Sequence, residues 1–165
     1  MQGQQELYEI LEKLSIKYEY YEHPPISTIQ IAKLYWNNLN SGRCKNIFFR
    51  NHKGNKHYLV ILEHLRQLDI HDLERRLKQG KLTFASDKRL KHYLGLEPGS
   101  VSPFGLINDK EKNVHVFIDE KLKGFEKLAF HPNINTATLV VLKDDLIKFL
   151  EYESASYEFI RLYDE

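Results

Sequence analysis

The chain has 165 residues, 42% hydrophobic and 12% aromatic, which suits one domain over 1–165 whose core needs neither disulfides nor a structural metal. Its single cysteine, Cys44, excludes an internal disulfide and fits a reducing compartment. No apolar run approaches the roughly 18–20 residues of a membrane span, and the start, MQGQQELYEI, lacks a basic region followed by an apolar one. A cytoplasmic protein with no membrane association is expected.

Leu7, Ile10, Leu11 and Leu14 fall at helical spacing and predict a helix from about Gln4 to Ile16. KYEYYEH then reads as a strand that Pro24 and Pro25 stop, and STIQIAKLYW as a short helix capped by Ser27 or Thr28. CKNIFFRN, the turn HKGN and KHYLVILE predict a β-hairpin, rich in aromatic and β-branched residues around a glycine turn. IHDLERRLKQ is helical, LTFA a short strand, and SDKRLKHYL a helix with Ser86 as N-cap and Gly95 just past its end. VHVFID, KLAFH and TATLVVLK follow as strands, DDLIKFLEYE as a helix and YEFIRLY as a last strand. The expected class is α/β or α+β, a mixed, largely antiparallel central sheet flanked by helices.

The net charge of +1 argues against a general nucleic-acid coat, but the charge is uneven. From Arg75 to His92 there are seven Lys or Arg against one acid, Asp87; from Asp144 to Glu165 there are seven acids against Lys148 and Arg161. One surface could therefore attract phosphates while another repels them. Two helices with solvated charged faces would give the same counts.

No GxSxG elbow, HExxH, P-loop, dinucleotide fingerprint or CxxC pair is present. The eight histidines are scattered, and His64 and His71 make a poor metal pair, so neither a metal nor another cofactor is expected. Strand alternation puts Lys45 with Ile47 and Phe49 on one face, and Cys44, Asn46 and Phe48 on the other. Lys45 either reaches outward to solvent or sits in a partly desolvated pocket; Cys44 reads as a small buried residue. The nine-residue stretch EPGSVSPFG is a loop of two prolines, two glycines and two serines with few charges, and HPNINTAT is a second polar cluster between apolar strands. Together these clusters suggest one pocket.

The segments CKNIFFRNHKGNKHYLVIL, LTFASDKRLKHYLGLEPGSVSPFGLIND and AFHPNINTATLVV resemble the YbaK/ProX family of aminoacyl-tRNA deacylases. The same domain occurs as an editing insertion in bacterial prolyl-tRNA synthetases, and the likeness is greatest to the freestanding prolyl-tRNA editing branch. Its marks are the Lys45–Asn46 pair, a GxxxP loop at Gly99 to Pro103 and a His-Pro-x-x-Asn segment at His131 to Asn135.

The resemblance implies a hydrolase acting in trans on the ester of alanine mischarged to proline tRNA, using water and a ribose hydroxyl rather than a protein nucleophile. It implies that Lys45 stabilises the oxyanion or anchors the terminal adenosine, that Asn46 orients the ester, and that His131 lines the pocket or positions water. The loop of Gly99, Ser100, Val101, Ser102 and Pro103, with Asn135, would cradle the substrate; glycine permits close backbone approach and proline stiffens the loop. A small pocket walled by His23, Ile31, Leu34 and Phe49 would exclude larger esters. Gln30 and Ile31 stand where the family commonly has acidic residues, so cysteine, serine or threonine esters are the neighbouring possibilities. Arg50, Lys81, Lys88 and Arg89 would meet the acceptor end of the tRNA. Prolyl-tRNA synthetase is a candidate partner, a monomer is expected, and a non-hydrolytic binding or regulatory module of the same fold is the alternative reading.

Overall fold

A computed structural model describes residues 1–25, 42–63 and 66–164. The expected helix over STIQIAKLYW, with Ile31 and Leu34, lies outside the described residues.

The chain begins with α1 (Gln5–Lys13) and β1 (Tyr18–Glu22). The hairpin follows as β2 (Gly42–Asn51) and β3 (His57–Glu63), then α2 (Ile70–Leu77), β4 (Leu82–Phe84) and α3 (Asp87–Leu94). A 3₁₀ turn at Pro103–Asn108 precedes β5 (Val114–Asp119), and a second at Glu120–Gly124 precedes β6 (Lys127–Phe130). β7 (Ala137–Leu142), α4 (Lys143–Tyr152) and β8 (Ser156–Ile160) complete it. The local signals explain the ends. Ser86 Oγ accepts from Arg89 N at 3.2 Å and Gly95 turns left-handed at φ 66°, which bounds α3 as its capping residues require.

The strands form a mixed sheet in the order β1-β7-β6-β2-β3-β5-β8, with β4 also on β2. β2 is its pivot. Cys44 to Arg50 pair antiparallel with β3 along one edge. Along the other edge β6 pairs only with Gly42 and Arg43, and β4 only from Phe49 onward. Among the described residues, the interval Cys44–Ile47 has no strand on that side.

Alternation along β2 and β3 divides the apolar side chains into two cores, one on each face, so β3 is buried almost throughout. On the first face Cys44, Phe48, Leu59 and Ile61 pack with α1, α3, α4 and Phe104. On the second, Phe49, Tyr58, Val60 and Leu62 pack with Leu73 and Leu77 of α2 and with Leu162. Among the described residues no helix is long and apolar enough to cross a membrane.

Candidate active site

A cleft of about 210 Å³ opens at the interval where β2 lacks a second neighbour, lined by Cys44, Asn46, Gly99, Val101, Ala129, Phe130 and His131. Three segments build it. β2 contributes Cys44 and Asn46, which alternation aims to one face; β6 contributes Ala129 and Phe130 and runs into His131; the loop before the first 3₁₀ turn contributes Gly99 and Val101.

That loop is folded tightly. Ser100 N donates to Glu97 O at 3.1 Å, and Gly99 has φ +88°, a conformation that side chains disfavour. Ser100, Ser102 and Pro103 point inward and are buried. Ser102 Oγ accepts from Phe104 N at 3.2 Å, and Pro103 opens the 3₁₀ turn. The N–H groups of Gly99 and Val101 make no hydrogen bond among the described residues. Asn135 stands across from the loop, its Nδ2 3.6 Å from where a Cβ on Gly99 would lie.

Asn46 is the polar group of the β2 wall. Its Oδ1 is buried and has no hydrogen-bond partner among the described residues, an arrangement that costs free energy until a donor arrives. His131 Nδ1 lies 2.8 Å from Ala137 O. A carbonyl only accepts, so Nδ1 carries the proton and the neutral ring keeps its lone pair on Nε2. Burial, opposed by that bond and helped by nearby His23, holds the His131 pKa below its ordinary 6.5. His23 sits behind His131, ring centres 6.0 Å apart, with Nδ1 donating to Pro24 O at 2.9 Å and Nε2 accepting from the buried Thr138 hydroxyl at 2.8 Å. Burial pushes the Cys44 thiol well above its ordinary range, chiefly through desolvation; it is a wall and not a nucleophile.

The other expected site residues are dispersed. Lys45 lies on the opposite face of β2 from Asn46, half-buried, with Nζ donating to Arg66 O at 3.2 Å. Phe49 is fully buried in the second core and packs against Phe84 with ring centroids 5.0 Å apart and planes tilted by 31°, so it is core and not a cleft wall. Ile31 and Leu34 lie outside the described residues. Arg50 Nη1 donates to Asn51 O and His52 O, each at 3.2 Å, and steadies the hairpin turn. Arg89 Nη1 donates to Gly54 O at 2.9 Å and to His57 Nε2 at 3.0 Å. Lys81 and Lys88 are exposed, with no ion pair or hydrogen bond among the described residues. Cys44, Ala129 and Phe130 are cleft residues that sequence reasoning did not select. The signal for them was present, since Cys44 shares a face with Asn46 and Ala129–Phe130 directly precede His131. Among the described residues no group of three or more His, Cys, Asp or Glu could hold a metal ion.

The sequence profile of the aminoacyl-tRNA editing domain matches residues 23–149. The chain is 37% identical over 163 residues to the prolyl-tRNA editing protein ProX of Acetoanaerobium sticklandii, covering 98% of this chain and 99% of that one. It is 32% identical over 148 residues to prolyl-tRNA synthetase associated domain-containing protein 1 of Danio rerio, covering 88% and 80%. A solved structure, a candidate trans-editing enzyme for prolyl tRNA synthetase, shares the fold with a TM-score of 0.70 at 19% identity over 95% of each chain. The three resembling segments frame the cleft, and the profile spans most of the chain: this protein belongs to the aminoacyl-tRNA editing domain family.

Proposed function

We propose that the protein is a trans-editing deacylase that hydrolyses the ester of alanine mischarged to proline tRNA, and that the cleft beside Asn46 is where the ester is held. The observation that carries this reading is the buried Oδ1 of Asn46 facing a loop with two N–H groups, all three without a hydrogen-bond partner among the described residues. An aminoacyl ester supplies the complement of both. Its α-ammonium is a donor for Asn46 Oδ1, and the carbonyl oxygen, which becomes an oxyanion during attack, is an acceptor for the N–H groups of Gly99 and Val101. Such donors, fixed before substrate arrives, favour the developing charge over the ground state.

The ester needs no protein nucleophile. Water adds to the carbonyl carbon, the oxyanion forms against the loop, and collapse expels the ribose oxygen, which takes up a proton. Neutral His131, its ring held by the Nδ1–H bond to Ala137 O, lines the cleft and positions the water. Lys45 enters from the other face of β2. Its ammonium is tied to one neutral carbonyl among the described residues, a contact that a phosphate or oxyanion outcompetes, and no described strand covers the edge of β2 at Cys44–Ile47, round which a long side chain can turn. Lys45 thus anchors the terminal adenosine or completes the charge stabilisation once substrate is bound.

Selectivity arises from size. Cys44, Val101, Ala129 and Phe130 make an apolar wall that suits a methyl side chain, whereas the proline ring demands more room. A hydrophobic pocket rejects an added hydroxyl poorly, so serine is the ester most easily confused with alanine. Lys81 and Lys88 carry the phosphate contacts of the acceptor end, and Arg50 and Arg89 shape the turn beside them. The protein works as a monomer, with prolyl-tRNA synthetase as a candidate partner.

The test is single-turnover hydrolysis of alanyl-, seryl-, cysteinyl-, threonyl- and prolyl-tRNA for proline. Loss of the alanyl ester first, abolished in Lys45→Ala, supports the reading. Preference for another ester moves the pocket assignment, and binding without hydrolysis of any of them replaces the enzyme by a binding module.

A further inference from the structure

The two loops that face each other across the cleft, Gly99–Asn108 and His131–Thr136, are not strands, so no ladder sets their separation. A short segment ahead of α1 joins them. Gln4 Nε2 donates to Asn108 Oδ1 at 2.8 Å, and Asn108 Nδ2 returns a bond to Gln4 Oε1 at 3.1 Å. Asn133 Nδ2 donates to the same Oε1 at 3.0 Å and to Phe104 O at 3.2 Å. Asn108 Nδ2 also reaches Leu94 O at 2.8 Å, tying this knot of three amides to the end of α3.

The main chain of the segment lies on the histidine-bearing loop. Gln4 N donates to Pro132 O at 3.4 Å, and Thr136 Oγ1 donates to Gln2 Oε1. Gly3, at φ +105°, passes so close that a Cβ there would lie 2.3 Å from Pro132 O. Gln2 is itself fixed, its N–H on Tyr20 Oη at 2.9 Å and its carbonyl accepting from Tyr8 Oη at 2.5 Å. Asn133 adopts a left-handed backbone at φ 64° and directs its amide into the knot.

We propose that Met1–Gln4 is a strap that sets the width of the cleft, with Gln4 as a positioning residue for the reaction. Every bond from Gln4's side chain ends on Asn108, behind the glycine loop, or on Asn133, two residues after His131. Moving either loop breaks an amide pair. Because hydrolysis requires the loop N–H groups and His131 to bracket one carbon, a displacement of about 1 Å is expected to cost roughly tenfold or more in rate. Gln4 is not among the residues that line the cleft, so affinity for tRNA should hardly change. The inference rests on the cleft being the hydrolytic site.

Three variants test it. Gln4→Ala removes the knot, Gly3→Ala lifts the strap from Pro132, and Gln4→Glu keeps the acceptor while losing the donor. In Gln4→Glu a carboxylate faces Asn108 Oδ1, and Asn108 cannot flip without turning Oδ1 toward Leu94 O. Its rate relative to wild type should therefore recover as acid protonates the glutamate, which a general loss of packing would not produce. We expect Gln4→Ala and Gly3→Ala to speed amide hydrogen exchange at Ser100 and Gly105, whose N–H groups are bonded within the first loop, and at His23, whose N–H is held by Thr136 O of the second. Their single-turnover rate on alanyl-tRNA should fall about tenfold with the tRNA Kd within about twofold. Should Gln4→Ala not fold, Gly3→Ala carries the test. Unchanged loop exchange and rate in the folded variants would overturn the strap. A wild type inactive on every ester would instead overturn the proposed function, while the exchange measurement would still decide the strap.

Discussion

Replacing Asn46 with leucine should make the protein more stable and inactive. Asn46 Oδ1 is buried and unpartnered, and no hydrogen bond to its side chain forms among the described residues. The folded state therefore carries a desolvation cost of about 1–3 kcal/mol for that atom, which a leucine of similar shape removes. Leucine also adds apolar contact with its strand neighbour Cys44 and with Phe130, which lines the same cleft. For a chain of this length each kcal/mol is worth roughly 2–4 °C in Tm, so Asn46→Leu should melt a few degrees above wild type. Activity should move the other way. With the acceptor for the α-ammonium gone and the cleft partly filled, single-turnover hydrolysis of alanyl-tRNA should fall about a hundredfold or more. Differential scanning calorimetry and a deacylation time course on the same preparation give both numbers. A variant that melts below wild type while hydrolysing at the wild-type rate would refute the reasoning, because Asn46 would then be satisfied and structural.

Phe49→Ala should cost about 3–5 kcal/mol of stability by opening the second core, read as a lowered Tm, while ester selectivity stays as in wild type. Gly99→Ala places a side chain on a backbone at φ +88°; with the nearest atom, Asn135 Nδ2, 3.6 Å away, strain dominates, costing about 1–2 kcal/mol, and kcat should fall more than KM rises. His57 is buried with Nδ1 donating to Asn113 Oδ1 at 2.5 Å and Nε2 accepting from Arg89, and burial lowers its pKa from the ordinary 6.5. The unfolded chain then binds the extra proton first, so stability is whole above that value and declines as pH falls below it. His131 acts in the same sense. The decline should approach about 1.4 kcal/mol per pH unit for each histidine within the window, and thermal melts of His57→Gln should show a flatter acid limb. Lys81→Ala combined with Lys88→Ala should weaken tRNA binding and reduce the slope of log Kd against log salt by about 1–2, measured by filter binding.

Much of the fold was legible because its signals are local. The hairpin, the Ser86 and Gly95 caps of α3 and the apolar strands β5 and β7 follow from alternation, capping and β-branched content. The 3₁₀ turns carry no such local signal. Pro103–Asn108 carries an apolar run too short for helical periodicity, and burial of Phe104, Leu106 and Ile107 under the sheet decides its shape. For the site, alternation alone separated Lys45 from Asn46, and the structure keeps them on opposite faces of β2. Phe49 could not be placed by alternation without knowing which face holds the cleft. That face is set by where β6 leaves β2 and β4 joins it, a long-range property of the sheet. Arg50 and Arg89 read as free cations in sequence because their partners are main-chain carbonyls of a turn and, for Arg89, a distant histidine.

The most direct test is single-turnover hydrolysis of alanyl- and prolyl-tRNA for proline by wild type and Ala129→Leu. Ala129 lines the cleft beside His131 and is nearly buried, so a larger side chain there takes up the space meant for the alanyl methyl. The account predicts that wild type removes alanine and spares proline, and that folded Ala129→Leu, checked by its Tm, loses alanyl hydrolysis. A folded Ala129→Leu that hydrolyses alanyl-tRNA at the wild-type rate would place the reaction elsewhere on the protein.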